Sequence, residues 1–530
     1  MAEKQTELQK MLSLLITSKC ESYFAGNVPG SLNTLMYHLM EPSSSSEEKC
    51  KSIEAYMSYS QTEDGEVNRP DIYLTAIFSA EICITRKEFI SWLEKKDCDY
   101  SRWKNVISLF LNQGFPEIRD FLSIIIKSAH TDPIYKSQCA EAQLYCCVHN
   151  DSKYLIDNPL PSEFSPEPRL KIQSRKLRVA FTSEKFSTNF VSSQTVYQDA
   201  IFAGLPDDIE VWLFSLRNHA DESTAPYREK AHEFINLCGL SDQECVAIIK
   251  EAEIDIVVDL FGATPVKCWK YFEDSIRVSS FDVDSFIKNY YHYNLEEKNN
   301  FASWKKAFTT LMPVPNQFFW PNLQPIPINP KAPNLTNKYI TFGVFSRLLK
   351  IHSNNYDTWA KLLDEVPKSI IAFSFIQLSK PLEFIIAKEF VKRGIEPNRI
   401  HFFPRTTPEA HLTKYNAIDV VLDTFPVGSG FSALDSLWMG VPIIGLIKKT
   451  DTVINTRKAY KYLGKESWAA KNEREYIDIC KKIALDADYR TELRKNLRQE
   501  VADSDLVNGK KFSEHMYAGL KKIALDNKNR

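Results

Sequence analysis

DVVLDTFPVGSGFSALDSLWMGVPIIGL, residues 419–446, is the stretch whose reading decides the fold. An apolar run ends at Phe425, a short loop follows with Gly428 and Gly430, a helical pattern begins near Phe431 or Ser432, and a second apolar run resumes at Val441. Strand, loop, helix and strand in so short a span make a βαβ unit, whose two strands lie parallel in a sheet covered on both faces. The first backbone N–H groups of such a helix have no partner within it. They point out of the carboxyl edge of the sheet, and the helix dipole adds partial positive charge there. Gly430, Phe431 and Ser432 therefore mark a place where a diphosphate can be held without a P-loop. Asp435 falls about one helical turn further in. A carboxylate there suits either of two roles, an ordinary acid favoured by the dipole or an acceptor for ribose hydroxyls.

The same alternation extends outward in both directions. Upstream, YITFGVF (339–345), SIIAFSFI (369–376) and RIHFFP (399–404) read as strands, with helical patterns in YDTWAKLLDEV, PLEFIIAKEFVKRG and TPEAHLTKYNA between them. Beyond a proline-rich linker at 312–337 lies a second alternating set, with strands LRVAFTS (177–183), IEVWLFSL (209–216), IDIVVDLFG (254–262) and IRVSSFD (276–282). The expected architecture is a pair of doubly wound α/β lobes, 177–311 and 338–490, with a helical tail at 491–530. Before a linker at 161–176, residues 1–160 space their apolar side chains at three and four and read as an all-helical domain, broken by the polar loop MEPSSSSEEKCK at 40–51.

Composition narrows the function. With 66 basic and 68 acidic side chains the net charge is -2, which argues against a nucleic-acid partner recognised by neutralising many phosphates. No run approaches the length of apolar sequence needed to span a bilayer, and the first residues lack a signal-peptide pattern. The 11 cysteines include no C-x-x-C pair, as expected of reduced thiols in a cytoplasmic protein rather than a zinc or redox site. Neither G-x-G-x-x-G nor G-x-x-x-x-G-K-[ST] occurs.

Further candidates follow from position. Lys350 comes just after YITFGVF and His411 after RIHFFP, both at the carboxyl end of strands, where open α/β sheets bind ligands. A lysine so placed can neutralise a leaving diphosphate. Glu184, Asp255, Asp259 and Asp282 lie near strand ends in the first lobe and are candidates for a general base, and His292 is a candidate on the acceptor side.

RIHFFPRTTPEAHLTKYNAIDVVLDTFPVGSGFSALDSLWMGVPIIGL, with YITFGVFSRLLKI and WAKLLDEVPKS upstream and INTRKAYKYLG downstream, resembles the catalytic region of family 41 glycosyltransferases. That family contains O-linked N-acetylglucosaminyltransferases and bacterial N-glucosyltransferases that modify adhesins. The resemblance covers 338–490 and, more weakly, 176–285. It implies a GT-B pair of Rossmann-like domains, a UDP-sugar donor, inversion at the anomeric carbon and no required metal or other cofactor. By position it implies that Lys350 contacts the donor diphosphate, His411 and the backbone of Thr406 the uracil, and Asp435 the ribose. Gly430, Phe431 and Ser432 stand where the O-linked enzymes carry His-Thr-Thr, and Arg347 where they carry glutamine. The first lobe departs from the pattern: no histidine lies between Leu170 and Arg217, and FDVDSFIKNYYHYN replaces a glycine-rich stretch. The acceptor, an adhesin or another protein, is therefore not inherited from the resemblance.

The expected function is a cytoplasmic transferase moving a hexose or N-acetylhexosamine from a UDP-sugar to a protein side chain. The expected partners are the donor, the protein acceptor and a homo- or hetero-oligomer. The alternatives are an inactive GT-B partner of such an enzyme, or a transferase acting on a glycan.

Overall fold

The computed structural model describes residues 45–59, 88–89, 91–92, 95, 122, 124–125, 170, 175–183, 186, 201–216, 224–260, 271–279, 292–294, 309–310, 326–346, 350–374, 380–404, 406, 408–425, 428–447 and 455–528. Most of the expected all-helical region 1–160 lies outside them. The polar stretch 40–51, expected to be a loop, contains the start of helix α1 (Ser46–Tyr59). Ser45 caps it reciprocally: the Glu48 amide donates to the Ser45 hydroxyl at 3.3 Å and the Ser45 amide to the Glu48 carboxylate at 2.8 Å. Two of the amides that a helix start leaves over are thereby satisfied.

The first lobe is built on β1 (Leu177–Ser183), β2 (Ile209–Ser215), β3 (Glu233–Asn236), β4 (Ile256–Asp259), β5 (Ile276–Ser279), β6 (Tyr293–Asn294) and β7 (Thr309–Thr310). These strands are parallel throughout, in the order β3-β2-β1-β4-β5-β6-β7. Helices α2 (Ala225–Lys230) and α3 (Asp242–Ala252) belong to its crossovers. Two-residue periodicity divides the strand side chains between two cores. Val179, Phe181, Val211, Leu213, Ile256 and Val258 face one side, and Ala180, Phe214 and Val257 the other, where they meet Cys245, Ile249 and Ala252 of α3.

In the second lobe, α4 (Asn334–Asn337) leads into β8 (Ile340–Val344), α5 (Ser353–Glu365), β9 (Ser369–Phe373), α6 (Lys380–Val391) and β10 (Ile400–Phe402). The chain continues through α7 (Pro408–Thr413), β11 (Val420–Leu422), α8 (Phe431–Trp438), β12 (Ile443–Leu446), α9 (Asn455–Leu463) and β13 (Ala469–Ala470). Its sheet is again parallel, in the order β10-β9-β8-β11-β12-β13. Both lobes are thus Rossmann-like, with strand order reversing between β1 and β4 in one and between β8 and β11 in the other. Ile326 and Ile328, inside the expected linker, pack against the core of the second lobe, and Ala332 is buried.

Three helices end the described chain: α10 (Glu473–Leu485), α11 (Ala487–Asp503) and α12 (Gly509–Lys528). A boundary at 490 would fall inside α11. That helix crosses the second lobe at Gly440, whose φ of +69° suits glycine and whose missing Cβ would lie 2.9 Å from the Arg494 Cα. By contrast α12 returns to the first lobe, where Phe512, Met516, Tyr517, Leu520, Ile523 and Ala524 complete the core on one face of its sheet. The hydroxyls of Ser513 and Tyr517 donate to the Ile201 carbonyl at 3.0 and 3.1 Å, and Lys521 pairs with Asp208 at 2.6 Å. At Gly204 a Cβ would meet the Lys510 carbonyl at 2.9 Å, so glycine permits this close approach.

Two first-lobe candidates have other work. Asp255 precedes β4, at the end of the sheet opposite to ligand sites, where it accepts from Arg175 at 2.7 Å and from the Arg178 amide at 2.9 Å. It is a buried structural anchor, not a base. The His292 ring accepts from the Arg277 amide at 3.0 Å and so supports the β5 backbone. Asp259 ends β4, buried at the carboxyl edge, while Glu184 and Asp282 lie outside the described residues. Among the described residues no helix is long and apolar enough to cross a membrane.

Leu520 is fully buried and Leu525, on the same helix, is 58% exposed. Leu520→Ala is expected to lower stability by about 2–5 kcal/mol in urea unfolding, and Leu525→Ala by no more than about 0.5 kcal/mol.

Candidate active site

At the switch point of the second sheet, β8 and β11 are neighbours, and the segments leaving their carboxyl ends carry the candidate residues. The segment after β11 is fixed by a buried carboxylate. Asp423 Oδ1 accepts from the Thr424 amide at 2.9 Å and the Ser429 amide at 2.7 Å, and Oδ2 accepts from the Thr456 hydroxyl at 2.5 Å. Burial raises its pKa, while the Ser429 and Thr456 bonds and the charge of Lys350 act in the opposite direction. Buried hydroxyls surround the loop. Ser346 lies 3.0 Å from Ser429 and accepts from Thr424 at 3.2 Å, and the Asn355 amide group donates to the Phe425 carbonyl at 3.2 Å.

Across this loop Lys350 donates to the Gly428 carbonyl at 2.8 Å. Its ammonium group therefore lies beside the residues that lead into α8. Gly430 is the N-cap of α8, and Phe431 and Ser432 are its first two residues. Their amides are among those a helix start leaves unpaired, so a cation and a positive dipole end converge on one spot. One turn along, Asp435 is buried, with Oδ1 lacking a hydrogen-bond partner, and burial pushes its pKa up to about 7. A buried acceptor without a donor is costly. A hydroxyl-bearing ligand would supply what is missing.

An aromatic group borders the same helix start. Phe345 stacks on Tyr415 with centroids 4.0 Å apart, His411 sits edge-on to both rings at 5.6 and 6.1 Å, and the Tyr415 hydroxyl donates to the Ser432 carbonyl at 3.3 Å. Burial, with the nearby charge of Lys414, brings His411 down to about 4, so its imidazole is neutral near pH 7. The Lys414 ammonium donates to Ser374, just past β9, at 3.1 Å, and its own pKa is lowered by burial. Thr406 lies exposed in the connection from β10 to α7. Arg347 lies outside the described residues.

This arrangement occupies the part of the chain that matches a known family: residues 328–516 correspond to glycosyl transferase family 41. The second lobe is a family 41 domain. A probable UDP-N-acetylglucosamine–peptide N-acetylglucosaminyltransferase SPINDLY of Petunia hybrida is 25% identical over 378 residues, 65% of this chain and 38% of that protein. A UDP-N-acetylglucosamine–peptide N-acetylglucosaminyltransferase of Caenorhabditis elegans is 30% identical over 183 residues, 34% of this chain and 16% of that protein. The chain thus aligns with well under half the length of these relatives. Among solved structures, a mutant O-GlcNAc transferase of Thermobaculum terrenum superposes with a TM-score of 0.72 at 17% identity, covering 94% of this chain and 98% of that one. The likeness extends to both lobes and gives the GT-B fold expected for the family.

Within the family 41 domain, the residues not singled out from the sequence are those that hold the loop. Asp423 sits in VVLDTF at the end of an apolar run, and a charged residue in such a run was the available signal. Thr456, 33 positions later, carries no local mark.

Asp435 makes stability depend on pH. Below the ordinary carboxylate value of 3.8 both folded and unfolded chains hold its proton; from there to about 7 only the folded chain does. Its contribution is therefore present in acid and is lost as pH rises through that window. Between about pH 5 and about pH 8, wild type is expected to lose more stability in urea unfolding than Asp435→Asn, which has no carboxylate to ionise.

Proposed function

We propose that this protein is an inverting glycosyltransferase that moves a hexose or N-acetylhexosamine from a UDP-sugar to a protein side chain. The observation that carries this reading is the convergence of Lys350 and the α8 start on one loop, beside the unpaired buried carboxylate of Asp435. In this reading the diphosphate sits against Lys350 and the amides of Gly430, Phe431 and Ser432. The ribose hydroxyls donate to Asp435, and the uracil lies by His411 and the Thr406 backbone. Arg347 belongs to the same donor site by its position in the sequence, three residues before Lys350.

Transfer breaks the bond from the sugar C1 to the β-phosphate oxygen and forms one from the acceptor heteroatom to C1 on the opposite face. UDP and the acceptor proton are released. The charge that develops on the departing phosphate is met by groups already in place, an electrostatic contribution that costs no reorganisation during the reaction. Lys350 and the α8 dipole can supply that charge without a metal, so metal independence is part of the proposal. The neutral His411 adds no charge beside the base. The family membership of the second lobe supports the donor class, and the names of the aligned relatives support a polypeptide acceptor. Among the described residues Cys50, Cys238 and Cys480 are free thiols, and a cytoplasmic setting is part of the proposal.

Calorimetric titration tests the donor site. UDP is expected to bind and GDP not to, and Lys350→Ala is expected to weaken UDP by about tenfold or more, the order of one lost charge-assisted hydrogen bond. With UDP-glucose and UDP-N-acetylglucosamine as donors, a mass increase on a protein acceptor that disappears in Lys350→Ala supports the transfer. Absence of UDP binding would leave the shared fold without the activity.

A further inference from the structure

The Asp423–Thr456 contact joins two elements remote in sequence, and the surrounding structure is arranged around it. Thr456 is the second residue of α9 and is buried, as is Asp423. One Asp423 oxygen takes two amides of the loop, at Thr424 and Ser429, and the other takes the Thr456 hydroxyl. The same hydroxyl lies 3.4 Å from the Ser429 carbonyl. Strand β12 supplies the space: a Cβ on Gly445 would stand 3.2 Å from the Tyr460 hydroxyl, 3.5 Å from Asp423 Oδ2 and 3.7 Å from the Thr456 methyl. Behind Asp423, the Tyr476 hydroxyl donates to its carbonyl at 3.1 Å, and the Trp359 indole donates to Tyr476 at 3.3 Å.

These bonds determine which amides of the loop remain for a ligand. The Ser429 amide is turned inward to Asp423, so Gly430 is the first residue whose amide can face outward. The Gly428 carbonyl, one residue before Ser429, meets Lys350. Holding Ser429 therefore fixes both the start of the anion site and the seat of its lysine.

We infer that Thr456, acting through Asp423, is a positioning residue for the diphosphate-binding loop, so that it sets diphosphate affinity without touching the donor. The inference rests on the UDP-sugar reading for its ligand but not for its loop geometry. The reason is chemical: the loop's conformation depends on a buried carboxylate, whose pKa burial raises, and on the Thr424, Ser429 and Thr456 donors that reach it. Removing the Thr456 hydroxyl leaves Asp423 Oδ2 without that donor and favours the protonated acid. A protonated Asp423 grips the two amides less firmly, and the loop loses the geometry that Lys350 and α8 require.

The test compares Thr456→Val, which keeps shape and removes the hydroxyl, with Thr456→Ser, which restores it. Two measurements are made on the full chain: the ratio of UDP to uridine affinity, and amide hydrogen exchange over residues 424–432. In Thr456→Val the ratio is expected to fall about tenfold, by loss of UDP affinity with uridine unchanged, and exchange at Ser429 to accelerate. Thr456→Ser is expected to recover both. A Thr456→Val protein that melts earlier yet keeps the wild-type ratio and exchange would overturn the inference, since a residue of purely structural importance would behave so. If wild type binds neither UDP nor uridine, the donor reading fails by itself, and exchange at Ser429 in the two variants still decides whether the loop is held as described.

Discussion

Right-handed crossovers impose the constraint on which the rest depends. In a parallel sheet each connection must return in one rotational sense, so the neighbouring strands at the point where strand order reverses send their connections to opposite faces. β8 and β11 are such neighbours. Their following segments diverge, and the opening they leave at the carboxyl edge is where Lys350 and the loop ending at Gly430 face each other. The α8 helix adds its dipole because the chain has to turn into a helix there to reach β12. Placement of the candidate site thus follows from topology before any special side chain is considered.

What side chains add is rigidity, and it comes from behind as well as within. Arg490, Arg494 and Arg498 recur every four residues along α11, a row on one face of the helix. Arg490 donates to the Ile483 carbonyl at 2.7 Å at the end of α10 and pairs with buried Asp419 at 3.3 Å. Arg494 donates to the carbonyls of Tyr415 at 2.9 Å and Met439 at 3.3 Å, and Arg498 to the Trp438 carbonyl at 2.8 Å. Trp438 and Met439 end α8, so the carbonyls and negative dipole end left over there are met by guanidinium groups. Helix α8 is consequently balanced at its far end by residues of the protein, while its near end remains for a ligand.

Much of this was legible in the sequence because buried parallel strands are nearly continuous apolar runs. LRVAFTS became β1 over the same seven residues, and the unit from β11 to β12 appears where the opening stretch indicated. Glu233–Asn236, which forms β3, carries no strand signal, because an edge strand is half exposed and EFIN shows no apolar run. The helix start at Ser46 was hidden by serines on either side of the one that caps it. In the site, Lys350 and the α8 start could be found by position relative to strands. The hydroxyls of Ser346, Ser429 and Thr456 could not, since each acquires meaning only when the fold brings it to Asp423 or its loop.

The return of α12 has a consequence for the order in which the protein can be built. Ile201 meets Ser513 across a separation of 312 residues, and the first sheet lacks one of its covering layers until that helix arrives. During synthesis the first lobe emerges with part of its core uncovered, and it stays so while the entire second lobe is made. Closing such a long loop is slow, and exposed sheet surface in the interval invites association with other chains.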